Sequence, residues 1–120
     1  MRFVLSVLAG AALFGAAFFV ERAGAASISV RVTHYYATGN PMYSGIYPYH
    51  GAAACSWNFP LGTVLRFRDG REVTCLDRGR LGWDGWVDIY AATWAEGLRI
   101  QQSYEYYSGR EPVEILRWGY

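Results

Sequence analysis

Pro60-Leu61-Gly62-Thr63-Val64-Leu65-Arg66-Phe67-Arg68-Asp69-Gly70-Arg71-Glu72-Val73-Thr74-Cys75-Leu76 is the stretch from which the fold class follows. Pro60 and Gly62 mark a turn, because proline presets one backbone dihedral and glycine accepts the left-handed region. Residues 64–68 then alternate in polarity with the period of a half-buried strand. Asp69-Gly70 is a strong hairpin signal, since the tight turns that suit twisted antiparallel strands need positive φ. Residues 72–76 return with Val73 and Cys75 on one face. A lone hairpin is marginal in water, so further strands have to close around it.

Toward the N-terminus, Ile28, Val30 and Val32 alternate with Ser29, Arg31 and Thr33, predicting a half-buried strand that runs on into His34-Tyr35-Tyr36. Residues 37–51 hold Gly39, Asn40, Pro41, Ser44, Gly45, Pro48 and Gly51 interleaved with Tyr43, Tyr47 and Tyr49, and read as a long loop. Long ordered loops in small domains tend to be functional. Toward the C-terminus, a Gly-rich loop over residues 79–85 leads into Trp86-Val87-Asp88-Ile89-Tyr90. Thr93-x-x-Glu96 is a capping box that opens a helix, and Gly97 is expected to keep it short. Residues 101–110 read as a further loop, and residues 112–118 alternate as a closing strand. Trp94 and Trp118, in the helix and the last strand, are expected in the core. Five or six short strands, one short helix and evenly spaced turns predict an all-β barrel rather than an α/β sheet.

Ahead of this domain, residues 3–20 carry no charge and are flanked by Arg2 and by Glu21-Arg22. Residues 1–26 are therefore expected to be an export leader, either a signal peptide cut near the small-x-small triplet Ala23-Gly24-Ala25 or an uncleaved membrane anchor. Residues 27–120 form the single domain, secreted, periplasmic or associated with the cell envelope. A membrane is met only through the leader, if it is retained.

Cutting after residue 26 removes Arg2, Arg22 and Glu21 from totals of eleven basic and ten acidic residues, so the exported domain has no net charge. A protein that neutralises phosphates needs surplus cations, and nucleic acid is excluded as a partner. Cys55 and Cys75 both lie in the exported part, where an oxidising compartment permits a disulfide. A zinc site joining them to His34 and His50 is the rival reading, but no short Cys-x-x-Cys or His-x-x-x-His spacing supports it. Neither a metal nor a cofactor is expected.

Ala52-Ala53-Ala54-Cys55-Ser56-Trp57-Asn58-Phe59-Pro60-Leu61-Gly62-Thr63, then Cys75-Leu76-Asp77-Arg78-Gly79, then Val87-Asp88-Ile89-Tyr90, resemble the ordered motifs of the three-aspartate ("3D") domain family. That family is similar to rare lipoprotein A, expansins and the barrel of membrane-bound lytic transglycosylase A. The resemblance covers roughly residues 33–118 and implies a six-stranded double-psi β-barrel that acts on peptidoglycan. It also implies a lytic-transglycosylase activity with Asp88 as general acid/base and Asp77 as supporting carboxylate. The sequence departs from the pattern in two places. The family's first aspartate falls near Cys55, and the histidine of the rare lipoprotein A relatives falls near Ser56. Arg80, Trp83 and Asp84 also alter the loop after Asp77-Arg78-Gly79.

The residues themselves point to related chemistry. Asp77 ends one strand and Asp88 lies on the next, so the intervening loop can fold them toward each other. Neighbouring carboxylates repel, and one of them then keeps its proton near neutral pH, more so beside Trp57, Trp83 or Trp86. A protonated carboxyl suits a glycosidic oxygen. An aspartate before glycine at a strand end can equally cap a turn with backbone N–H bonds. Trp57, Trp83, Trp86, Tyr36, Tyr43 and Tyr47 are candidates for a platform on which sugar rings stack, though aromatics also build small cores. Three functions stay open: a glycan-cleaving enzyme, a non-catalytic expansin-like wall-binding module, and a structural barrel without sugar affinity.

Overall fold

The structure, a computed structural model, describes residues 26–79, 81–82, 84–106 and 109–120. All of the expected leader except Ala26 lies outside these residues, as does Trp83. Among the described residues, six strands and one helix follow in the order β1 (Ala26–Tyr35), β2 (Ala52–Cys55), β3 (Val64–Phe67), β4 (Glu72–Asp77), β5 (Trp86–Tyr90), α1 (Trp94–Ser103) and β6 (Glu111–Arg117). The hairpin forms as its turn demands, with Leu65 opposite Val73 and Gly70 at φ 93°.

The strands close into a mixed barrel in the order β1-β5-β2-β4-β3-β6. β1 serves two neighbours: Ala26 to Val30 pair antiparallel with β6, and Arg31 to Tyr35 pair parallel with β5. β2 lies between β5, which is antiparallel to it, and β4, which is parallel. Ala52, Ala53, Ala54 and Cys55 are all buried. A strand buried on both faces shows no alternation, which is why its polarity pattern does not reveal it. This closed six-stranded barrel with one short helix is compatible with a double-psi β-barrel.

Inside the barrel, Val30, Val32, Leu65, Phe67, Val87 and Ile89 form one apolar cluster with Phe59, Ile100 and Tyr104. Cys55 on β2 and Cys75 on β4 are joined by a disulfide within that cluster, both without solvent exposure. The sulfurs are bonded to each other, so the rival zinc reading is overturned. Closing this loop restricts the unfolded chain and stabilises the domain by roughly 3 kcal/mol. A buried disulfide is compatible with an oxidising, extracellular compartment.

Three expectations are corrected. Gly97 does not end the helix but lies inside it, where an added Cβ would collide with the Tyr36 hydroxyl and come within 2.8 Å of His34 Nε2. The glycine lets α1 pack closely on the end of β1, and the helix continues to Ser103 through residues read as loop. Trp94 and Trp118 are 70% and 57% exposed rather than in the core. The buried stripe of α1 is Glu96, Gly97 and Ile100, which leaves Trp94 off it, and Trp118 lies beyond the end of β6. The Thr93 half of the capping box is present, with Thr93 Oγ1 accepting from the Glu96 N–H at 3.1 Å, while Glu96 Oε1 accepts from the N–H of Ala92, one residue before the cap, at 3.0 Å.

Candidate functional site

Thr33, Asp88, Ala54 and Asp77 stand in one row across four neighbouring strands. Thr33 on β1 is opposite Asp88 on β5, Asp88 is opposite Ala54 on β2, and Ala54 is opposite Asp77 on β4. Val87 and Ile89 fill the barrel, so the alternation of β5 turns Asp88 to the outer face. On β4 the same alternation from Val73 and Cys75 would turn Asp77 inward. A bulge prevents this: the register passes from Ala53 opposite Cys75 to Ala54 opposite Asp77, skipping Leu76. The extra residue re-aims the strand end and brings Asp77 to the face that carries Asp88.

Two strand spacings separate the aspartate backbones, about 10 Å, with Ala54 on the strand between them. It is therefore the intervening strand β2 and the bulge of β4 at Leu76 that set the two carboxylates side by side. Residues 37–51 supply the wall. Met42 is buried with Ala52 and Leu76, the Ser44 N–H donates to the Leu76 carbonyl at 3.0 Å, and the Tyr43 N–H donates to Asp77 Oδ1 at 2.9 Å. The result is a cleft of about 170 Å³ lined by Tyr35, Ala54, Asp77, Gly79 and Asp88 and by Thr38, Asn40, Pro41 and Pro48 of the loop.

The two carboxylates are bound differently. Asp77 Oδ1 accepts two main-chain N–H bonds, from Tyr43 at 2.9 Å and Arg78 at 2.8 Å, as a strand-end cap does. Asp88 Oδ1 accepts from the Thr33 hydroxyl at 2.8 Å, and Thr33 in turn accepts from Trp86 Nε1 at 2.8 Å. Asp88 Oδ2 has no hydrogen-bond partner among the described residues. Burial pushes the Asp88 carboxyl up to about 6; the Thr33 hydrogen bond opposes this and the charge of Asp77 adds to it. Among the described residues no cation forms an ion pair with either aspartate.

Two larger hollows lie elsewhere, about 450 Å³ beside His50, Asp69 and Arg71, and about 260 Å³ beside Arg66, Pro112 and Glu114. Their arginines are paired, Arg71 with Glu96, Arg66 with Glu114 and Arg68 with Glu111, and Asp69 accepts from the Tyr104 hydroxyl and the Arg71 N–H. Size alone does not mark a site, and the smaller cleft holds the unmatched acids. Comparison with family models, with curated proteins and with solved structures finds no match.

The expected aromatic platform is divided. Tyr43 and Trp57 meet edge to face with centroids 5.8 Å apart, next to Asp77, and the Arg78 guanidinium lies 4.6 Å from the Trp57 ring. Tyr47 is exposed on the same loop. Tyr36 packs instead on His34, 5.2 Å between centroids, beside Gly97 of α1. Trp86 is half-buried with Arg31 over its ring at 4.9 Å, and its Nε1 donates to Thr33, the partner of Asp88. Trp83 lies outside the described residues.

His34 bonds Tyr106 and Tyr36 through its two ring nitrogens, and His50 pairs with Glu96. The sequence reading did not single out Thr33, Tyr35 and Ala54 as neighbours of the acids. Thr33 and Tyr35 fall on the outward side of the β1 alternation, but only the parallel pairing with β5 sets that side next to Asp88.

Proposed function

We propose that this chain is an exported peptidoglycan-acting protein that cleaves glycan strands in the manner of a lytic transglycosylase, with Asp88 as the general acid/base. The observation that carries the reading is a half-buried carboxyl on a cleft floor, pushed up to about 6 by desolvation, with one oxygen lacking a hydrogen-bond partner among the described residues. Protonated Asp88 donates to the glycosidic oxygen as the C–O bond breaks. The resulting carboxylate then takes the proton from the substrate's own primary hydroxyl as that oxygen closes on the anomeric carbon to form an anhydro ring. One carboxyl completes both steps. This agrees with Asp77 being held by main-chain N–H groups, where its charge supports the cationic transition state without transferring a proton. The ordered motifs around Pro60-Leu61-Gly62-Thr63, Asp77-Arg78-Gly79 and Val87-Asp88-Ile89-Tyr90 favour the same reading, including secretion and a peptidoglycan partner.

Incubation of the exported domain with purified peptidoglycan, followed by mass spectrometry, is expected to release anhydro-muropeptides. Asp88→Asn lowers the rate at least about 100-fold. The rate of the parent protein falls as pH rises above about 6, because the first step starts from the protonated acid. Release unchanged by Asp88→Asn rules the mechanism out. The exposed Tyr43 and Trp57 pair favours a second reading, an expansin-like module that binds the wall without cutting it. Binding without release by either protein selects that one.

A further inference from the structure

Tyr35 ends β1 in register with Tyr90, and the two rings pack edge to face with centroids 5.6 Å apart. The ring lines the cleft together with Asp77 and Asp88. Its hydroxyl is shut off from solvent and has no hydrogen-bond partner among the described residues. Buried hydroxyls are almost always bonded, because leaving one unmade forfeits its hydration with nothing in return. Burial raises the proton affinity of this phenol, and the charges of Asp77 and Asp88 raise it further, so the group remains an O–H donor. Yet it donates to neither carboxylate.

The acceptor therefore has to arrive with a ligand, and the cleft limits what that ligand is. An anion would meet Asp77 and Asp88 with no paired cation to offset them. A neutral oxygen, either a hydroxyl or an amide carbonyl, meets no such repulsion. The volume of about 170 Å³ is below the ~300 Å³ at which drug-sized pockets begin, so it takes a single ring and not a chain of them.

We infer that Tyr35 is a substrate-orienting residue whose hydroxyl donates to a neutral oxygen of the one sugar ring seated between Asp77 and Asp88. This rests on the reading of the cleft as a glycan site. A residue kept for binding at the expense of the empty protein leaves a specific signature. Removing the hydroxyl while keeping the ring relieves the free protein and weakens the complex.

The test uses Tyr35→Phe twice: alone, for thermal unfolding of the free protein, and on the Asp88→Asn background, for calorimetric titration with chitotetraose and cellotetraose without turnover. The melting temperature of the free protein is expected to rise by about 4 °C. The affinity for glycan is expected to fall about tenfold, the loss that goes with one hydrogen bond. A loss for chitotetraose alone assigns the acceptor to the acetamido carbonyl, and a loss for both sugars assigns it to a ring hydroxyl. A lower melting temperature makes Tyr35 a structural residue and overturns the inference. Equal affinities with and without the Tyr35 hydroxyl overturn it while leaving the glycan reading intact. If Asp88→Asn binds neither sugar, the glycan reading fails and this inference falls with it.

Discussion

Tyr104 and Tyr35 each place a phenol among carboxylates, the first in a network with Asp69 and Glu96, the second in the cleft with Asp77 and Asp88. The Tyr104 hydroxyl donates to Asp69 at 2.9 Å and accepts from Arg71 Nε at 3.2 Å, while the Tyr35 hydroxyl has no hydrogen-bond partner among the described residues. Buried Glu96 receives Arg71 at 3.4 Å and His50 at 3.0 Å. Burial pushes the Glu96 carboxyl up, but the Ala92 N–H, Arg71 and His50 outweigh it and hold the group below the usual carboxylate range. Asp88 has no such company and is pushed the other way, to about 6. One cluster neutralises what it buries and so holds α1 against the hairpin. The other leaves an acid and a phenol unmatched, which is useful only if something else is to be bound.

The sharpest way to break this contrast is to make the first cluster resemble the second. Arg71→Ala leaves buried Glu96 with the Ala92 N–H and, as its remaining ion-pair partner among the described residues, an exposed histidine. A loss of about 3 kcal/mol is expected, read from urea unfolding at neutral pH. A loss below about 1 kcal/mol would mean that the network is not neutralising a buried charge, and the contrast would fail on its structural side.

The cleft should respond with the opposite sign. Asp88→Asn keeps an oxygen for the Thr33 hydroxyl and removes the half-buried charge. Because the folded pKa of Asp88 is about 6, above the ordinary 3.8, its cost to folding is absent below about pH 4, grows between pH 4 and 6, and is complete above that. The variant is expected to be more stable than the parent by about 2–3 kcal/mol at pH 7.5, and equal to it at pH 3.5. Glu96 runs the other way: its stabilisation is present above its unfolded value of 4.5 and is lost as pH falls below it. Paired melts at the two pH values check the sign, and an Asp88→Asn variant less stable at pH 7.5 would show that the carboxylate is compensated.

Much of the barrel was legible because its strands are half-buried and alternate. The hairpin around Asp69-Gly70, β1, β5 and β6 all announce themselves in this way. β2 does not, since Ala52-Ala53-Ala54-Cys55 has no polar face, and its placement between β5 and β4 is a fact of topology that no local pattern encodes. The candidate site inherits that gap. Asp77 and Asp88 were singled out as residues, but their shared row depends on Ala54 as the middle member and on the bulge at Leu76. The start of α1 was readable from Thr93 and Glu96. Its end was not, because Gly97 serves a close approach to Tyr36 and not a turn. Trp94 and Trp118 were misplaced because hydrophobicity argues for burial only where a partner surface exists.

The smallest expected effect sharpens the contrast from its edge. His50 is 73% exposed while the Glu96 carboxylate it meets is 6% exposed, so the pair lies at the boundary between surface and buried electrostatics. An exposed partner retains most of its hydration, and such pairs contribute under about 1 kcal/mol. Nor does His50 hold the loop over residues 37–51 in place. Main-chain bonds do that at the same point, from the Ala52 N–H to the Tyr49 carbonyl at 3.0 Å and from the Thr74 N–H to the Gly51 carbonyl at 2.8 Å. His50→Ala is therefore expected to cost about 0.5 kcal/mol and to leave the Asp88 titration near 6 where it was, followed by NMR of the carboxyl carbon. A shifted Asp88 titration would show that the two clusters communicate through the loop, and that the cleft's unmatched acid is set partly by the paired network at the loop's end.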